Sequence, residues 1–252
     1  MKKRRDVRRF GSGPYLLGLA GGGGDPEEHV GFPYEALADA QQLSFDQPVT
    51  LLAGDNGTGK STIIEACAAA MGFAEDGGEL ERLGELPAVP RTIYRGFLTP
   101  VVNRWARPRI GYFLRAESFF NVARGADEAT DFTNYGDRPL HQQSHGQSFL
   151  ALASNRFGGE GIFILDEPEA ALSVTGALAL VAVIARAAEQ GAQFIIATHS
   201  PILLAIPGAK IYELTEEDGF AVTDYDDTDA VRLMRGFLDA PERYLRAALG
   251  TD

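Results

Sequence analysis

Gly54-Asp55-Asn56-Gly57-Thr58-Gly59-Lys60-Ser61-Thr62 is the stretch on which the fold turns. It fits G-x-x-x-x-G-K-[ST], and its flanks supply the context that pattern needs. Before it, Val49-Thr50-Leu51-Leu52-Ala53 is a short apolar run with β-branched members, which predicts a buried strand. After it, the run from Ile63 to Met71 predicts a helix that stops at Gly72. Strand, glycine loop and helix place a row of backbone N–H groups at a helix N-terminus, where they bind anionic phosphate. Lys60 is then expected to reach β- and γ-phosphates, and the Ser61 hydroxyl to ligate Mg²⁺.

At 252 residues the chain is one large domain, or one domain with an inserted lobe, and is long enough to bury a full core. The single cysteine, Cys67, sits on the presumed loop helix, cannot form an internal disulfide, and fits a reducing cytosol. No apolar run reaches the roughly 18 residues needed to span a bilayer, so no integral membrane segment is expected. The start, Met1-Lys2-Lys3-Arg4-Arg5, lacks the apolar stretch of a secretory signal. These features predict a cytoplasmic protein. A net charge of −12 should repel nucleic acid outside a local basic surface. The first residues run against that balance, with basic side chains at positions 2, 3, 4, 5, 8 and 9. Residues 1–13 therefore read either as a flexible solvated arm or as a contact for nucleic acid or an acidic partner.

Further along, Tyr15-Leu16-Leu17-Gly18-Leu19 predicts an early strand of an antiparallel lobe. The segment from about 73 to 158 is interrupted by Gly77, Gly78, Gly84, Pro87, Pro90, Gly96, Pro100 and Pro108, and reads as a small, mostly helical inserted lobe. Ser144-His145-Gly146-Gln147 opens a helical run. Gly161 to Asp166 is a buried strand ending in acids, Ala177 to Gln190 a helix, and Gln193 to Ala197 a second buried strand. Strands alternating with helices predict an α/β fold with a mainly parallel central sheet flanked by helices. Ile211–Leu214 and Phe220–Thr223 predict a hairpin, and 230–249 a helix broken at Pro241.

In such sheets ligands bind at the carboxyl ends of the strands, so Asp166 and Glu167 should face the glycine loop. Asp166 is expected to hold Mg²⁺, and Glu167 to orient or deprotonate the attacking water. His199, behind the second strand, is placed to sense a γ-phosphate, although a histidine at a strand end is often structural. The turn at Ser144 and Gly146 offers either a second anion site or a helix cap.

Together these segments resemble the ATP-binding-cassette class of P-loop ATPases. GDNGTGKST is similar to its Walker A loop, SHGQ to its signature, FILDEPEAALS to its Walker B and D-loop, and ATHSP to its switch histidine. The resemblance covers about Leu43 to Leu214 and is strongest to the SMC/RecF-like and stand-alone AAA-type branch. It implies ATP and Mg²⁺ as ligands, with all nine loop residues from Gly54 to Thr62 cradling the nucleotide. It also implies a homodimer in the ATP state, in which Ser144 and Gly146 of one copy face the γ-phosphate on Lys60 of the other. The work done could be DNA maintenance through the basic arm. Alternatively the chain is the ATP-binding subunit of a transporter, acting on an unknown protein partner. Ser173 stands where that class carries a D-loop aspartate, and His145 where it carries a glycine. Its Q-loop glutamine has no counterpart between Ser61 and His141; Glu117 is the expected substitute as a metal ligand, with Arg115 as an alternative contact to phosphate.

Overall fold

The computed structural model describes residues 13–21, 40, 42–74, 77–80, 98–115, 145–215 and 219–250. Its strands are β1 (Leu16–Gly21), β2 (Val49–Gly54), β3 (Gly78–Glu79), β4 (Leu98–Val102), β5 (Ile110–Arg115), β6 (Gly161–Asp166), β7 (Gln193–Ala197), β8 (Lys210–Thr215) and β9 (Gly219–Thr223). Its α-helices are α1 (Lys60–Met71), α2 (His145–Arg156), α3 (Val174–Glu189), α4 (Asp229–Asp239) and α5 (Pro241–Leu249).

Among the described residues the central sheet has seven strands in the order β3-β5-β6-β7-β2-β8-β9. Its middle, from β5 through β8, is parallel, and the edge strands β3 and β9 pair antiparallel. Parallel strands are covered on both faces, which is why β2, β6 and β7 read as unbroken apolar runs and are buried almost throughout. Side chains nevertheless alternate. Ile162 and Ile164 join Ile63, Ile64 and Cys67 of α1 on one face. Phe163 and Leu165 join Phe149 of α2 and Leu180 and Ile184 of α3 on the other. The sheet is thereby sandwiched, and the carboxyl ends of β2, β6 and β7 meet at one edge.

The antiparallel lobe is present, as a ribbon of β1 with β4. Gln193, buried at the start of β7, ties it to the parallel sheet. Its Oε1 accepts from the backbone N–H groups of Tyr15 (2.7 Å) and Leu16 (3.0 Å), and its Nε2 donates to the carbonyls of Leu16 (2.7 Å) and Phe45 (3.1 Å).

The segment expected to be a mostly helical lobe requires correction in its described part. Up to residue 115 that part is strand: β3, β4 and β5, and β5 belongs to the central sheet. Ile110-Gly111-Tyr112-Phe113-Leu114 is too short for a stable helix, and its aromatics pack alternately on both faces of the sheet. Helix α2 closes the segment. The rest of it lies outside the described residues, as do residues 1–12 of the basic arm. The hairpin β8–β9 forms with Leu214 opposite Phe220. The tail is two helices divided at Pro241, which sits in the first turn of α5 where its missing N–H costs nothing.

Candidate functional site

Helix α1 starts without a side-chain cap: Gly59 occupies the N-cap in the left-handed region at φ 97°. The first-turn N–H groups are thus left to a ligand, and they carry the positive end of the helix dipole. Two further loop glycines have positive φ, Gly54 at 134° and Gly57 at 86°. At Gly54 the requirement is also steric, because a Cβ there would lie 2.5 Å from the Leu214 carbonyl oxygen. At Gly57 a Cβ would meet nothing within 4 Å, so the loop's mouth is open.

Lys60 is only 3% exposed, and its Nζ donates to the carbonyls of Gly54 (2.7 Å) and Asp55 (2.6 Å). Burial holds its pKa below the ordinary lysine value, and the neighbouring carboxylates of Glu167 and Asp166 oppose that shift. The ammonium is therefore already folded over its own loop. Thr58 braces the turn by donating its hydroxyl hydrogen to the Asp55 carbonyl at 2.9 Å.

Asp166, the last residue of β6, is 6% exposed and accepts a hydrogen bond from the Ser61 hydroxyl at 3.1 Å. Burial lifts its pKa to about 6, while Ser61 and Arg115 pull it back. Glu167 follows in the left-handed region, at φ 48° and ψ 51°. Its N–H donates to the Ala197 carbonyl at 3.0 Å. Asn56, Gly57, Gly59, Lys60, Ser61, Thr62 and Glu167 line one cleft of about 260 Å³. A broader cleft beside it runs from Asp55, Asn56 and His199 to Leu233, Met234, Phe237 and Tyr244 of α4 and α5.

His199 Nδ1 lies 3.7 Å from Glu167 Oε1 and 3.9 Å from Glu169 Oε1. Glu169 was not singled out in the sequence, yet it organises this corner. Its Oε1 accepts from the Thr198 hydroxyl at 2.5 Å and from the His199 N–H at 3.0 Å. The third acid of Asp166-Glu167-Pro168-Glu169 was the available signal, since Pro168 starts the 3₁₀ turn that carries Glu169 back over the end of β7. Glu65, on α1, pairs with Arg115 at 2.8 Å.

The loop residues, Ser61, Asp166, Glu167 and His199 thus converge. Gly146 sits apart, in the first turn of α2, where a Cβ would come within 2.9 Å of the Ala171 carbonyl. Ser144 and Glu117 lie outside the described residues. A hydroxyl and a carboxylate are hard oxygen donors, and a site of one or two protein oxygens completed by phosphate and water suits Mg²⁺.

Residues 32–84 match a family model described as an AAA domain. Residues 115–205 match a second AAA-domain model, whose description adds the AbiEii toxin and a type IV TA system. The cytochrome c biogenesis ATP-binding export protein CcmA of Gluconobacter oxydans is 31% identical over 171 residues, 67% of this chain and 76% of that protein. CcmA of Salmonella typhi is 33% identical over 169 residues, 62% of this chain and 76% of that protein. Among solved structures, cbiO1 from Clostridium perfringens, part of the ABC transporter complex cbiONQ, aligns with a TM-score of 0.52 at 15% identity over 91% of this chain and 97% of that one. That likeness concerns the fold.

Proposed function

The chain belongs to the ATP-binding-cassette class of P-loop ATPases, and on that premise we propose that it binds ATP at Lys60, Ser61 and Asp166 and hydrolyses it with Glu167 as the base. The observation carrying this reading is the Ser61–Asp166 hydrogen bond at 3.1 Å, in a site that also holds Lys60 and Glu167. Lys60 exchanges two loop carbonyls for β- and γ-phosphate oxygens, and little rearrangement is needed because the ammonium is already buried at the loop. Ser61 and Asp166 would hold Mg²⁺, which when bound would neutralise charge on the phosphates. Glu167 takes the proton of a water aimed at the γ-phosphorus, and His199 reads whether that phosphate is present. Glu117 is retained as a further metal-ligand candidate.

The chain further acts as a homodimer in its ATP state, Ser144 and Gly146 of one copy completing the site of the other. The support for this is the resemblance of Ser144-His145-Gly146-Gln147 to the class's signature, with Gly146 in the first turn of α2. As for the work performed, the relatives are named export proteins, and this favours an ATP-binding transport subunit over the nucleic-acid maintenance role expected from the basic arm. Among the described residues no helix is long and apolar enough to cross a membrane. On the transport reading, which the names of the relatives favour, membrane contact is assigned to a partner, with this chain on its cytoplasmic side.

The test is turnover by the purified protein, and by Glu167→Gln, which should keep ATP, lose hydrolysis and accumulate as a dimer with ATP and Mg²⁺. Tagged Glu167→Gln should then co-isolate with an integral membrane protein. Hydrolysis retained in the variant would remove Glu167 from its role. DNA-stimulated turnover lost on deleting residues 1–13 would restore the nucleic-acid reading.

A further inference from the structure

Arg115 closes β5 directly beside Asp166, with which it is in register across the β5–β6 pair. Its Nη1 lies 2.8 Å from Glu65 Oε1 and its Nε 3.7 Å from Asp166 Oδ2. Ser61 takes the other oxygen, Oδ1, of the same carboxylate. Glu65 and Ser61 are four residues apart on α1 and so share a helix face. The guanidinium is thereby clamped between α1 and β6, on the carboxylate assigned to the metal. Arginine stays protonated throughout the accessible pH range, and its planar fork suits both carboxylate and phosphate.

Charge makes this position consequential. Glu167 lines a cleft meant for a polyanion and Asp166 binds its Ser61, while Glu65 pairs with Arg115 and Glu169 lies beside His199, on a chain of net charge −12. Lys60 alone does not balance them.

We propose that Arg115 is the resident cation of the nucleotide site: it neutralises Asp166 in the absence of metal, yields that carboxylate when metal and nucleotide enter, and turns its fork to the terminal phosphate. This rests on the reading of Asp166 as a metal ligand, and it adds that the chain itself supplies the charge which metal-free nucleotide binding requires. Arg115 also makes the metal compete for Asp166.

The probe is ATP binding by the full chain, followed with a fluorescent ATP analogue in EDTA and then across a Mg²⁺ titration. Arg115→Gln keeps a polar side chain without the charge. It should weaken metal-free binding at least 10-fold and lower the Mg²⁺ concentration that restores half-maximal binding several-fold. Arg115→Lys should recover much of the metal-free affinity while losing the fork's contribution to turnover. Glu65→Gln, which loosens the clamp without touching the cation, should leave metal-free binding at or above the wild-type level and guards against a variant that fails to fold. Equal metal-free affinity in wild type and Arg115→Gln, with ATP bound by both, overturns the proposal alone. A wild-type chain that binds no ATP in either condition overturns this proposal and the assignment of the site together.

Discussion

Ser61 Oγ and Asp166 Oδ1, 105 residues apart in sequence, lie 3.1 Å from one another. The first belongs to the helix after the glycine loop, the second to the end of the neighbouring strand but one. Substituting Ser61 with Ala removes one of the two oxygens expected to hold the metal while leaving the loop backbone intact. The Mg²⁺ concentration for half-maximal ATP turnover should rise about 10- to 100-fold, in the range seen when groups around a metal site are removed. An unchanged Mg²⁺ titration would place the metal elsewhere.

Asp166 should also make its mark on stability. Its pKa in the fold is about 6 against an ordinary 3.8, with burial the largest cause. The folded chain thus holds this proton more tightly than the unfolded one. The stabilisation is fully present below pH 4 and is lost as pH rises through about 6. In EDTA, Asp166→Asn should abolish that part of the pH dependence. Above pH 6 it should raise stability by on the order of 1–2 kcal/mol, because a charge held out of water has been removed. Urea unfolding at pH 4, 5, 6 and 7 reads both effects; a variant less stable than wild type at pH 7 would show that pairing with Arg115 outweighs burial.

Glu167 combines its proposed role with backbone strain. Its left-handed backbone costs a non-glycine residue roughly 1–2 kcal/mol. Glu167→Gly should therefore be at least as stable as wild type although it cannot hydrolyse ATP. Glu167→Val, with a β-branched side chain in that conformation, should lose about 2 kcal/mol or more. Thermal unfolding of the two variants separates the backbone requirement from the chemical one, and equal melting temperatures would deny the strain.

These pairings mark how far the residues could be read in order. The glycine loop announced itself because its pattern is local: nine consecutive residues between a strand and a helix. Asp166 and Glu167 were legible because β6 is an apolar run that ends in acid. The antiparallel lobe was legible as β1, but its partner β4 was not, since that pairing joins Leu16 to Val102 through side chains that show no distinctive period. Arg115 and Glu65 meet only because β5 lies beside β6 and α1 packs across them. Sequence distance hides such contacts: the resemblance points to Arg115 only as an alternative contact to phosphate, not as the partner of Glu65 and Asp166.

Glu169 offers a test of positioning. It holds His199 by its backbone N–H and Thr198 by its hydroxyl, and it reaches Lys60 only through its charge, behind Glu167, Asp166 and Asp55. Glu169→Ala should lower kcat about 10- to 100-fold through misplacement of His199. KM for ATP should stay within about twofold, and His199→Ala should add little in the double variant. Should the two substitutions multiply instead, Glu169 acts independently of the histidine.

Gln193 carries the last prediction. Its amide makes four hydrogen bonds to the backbone of the β1 lobe, two as acceptor and two as donor, in a setting that is fully buried. Gln193→Leu fits the volume but leaves the N–H groups of Tyr15 and Leu16 and the carbonyls of Leu16 and Phe45 without those partners. Each orphaned group costs about 1–3 kcal/mol, and local relaxation recovers part of it, so a net loss on the order of 3 kcal/mol is expected. Gln193→Glu loses the two donors and gains a buried charge, and should be worse. Hydrogen exchange then distinguishes a local from a global effect. If Gln193 pins the lobe, protection at β1 and β4 falls before that at β2, β6 and β7, whereas a uniform decline would mean that the ribbon and the parallel sheet unfold as one unit.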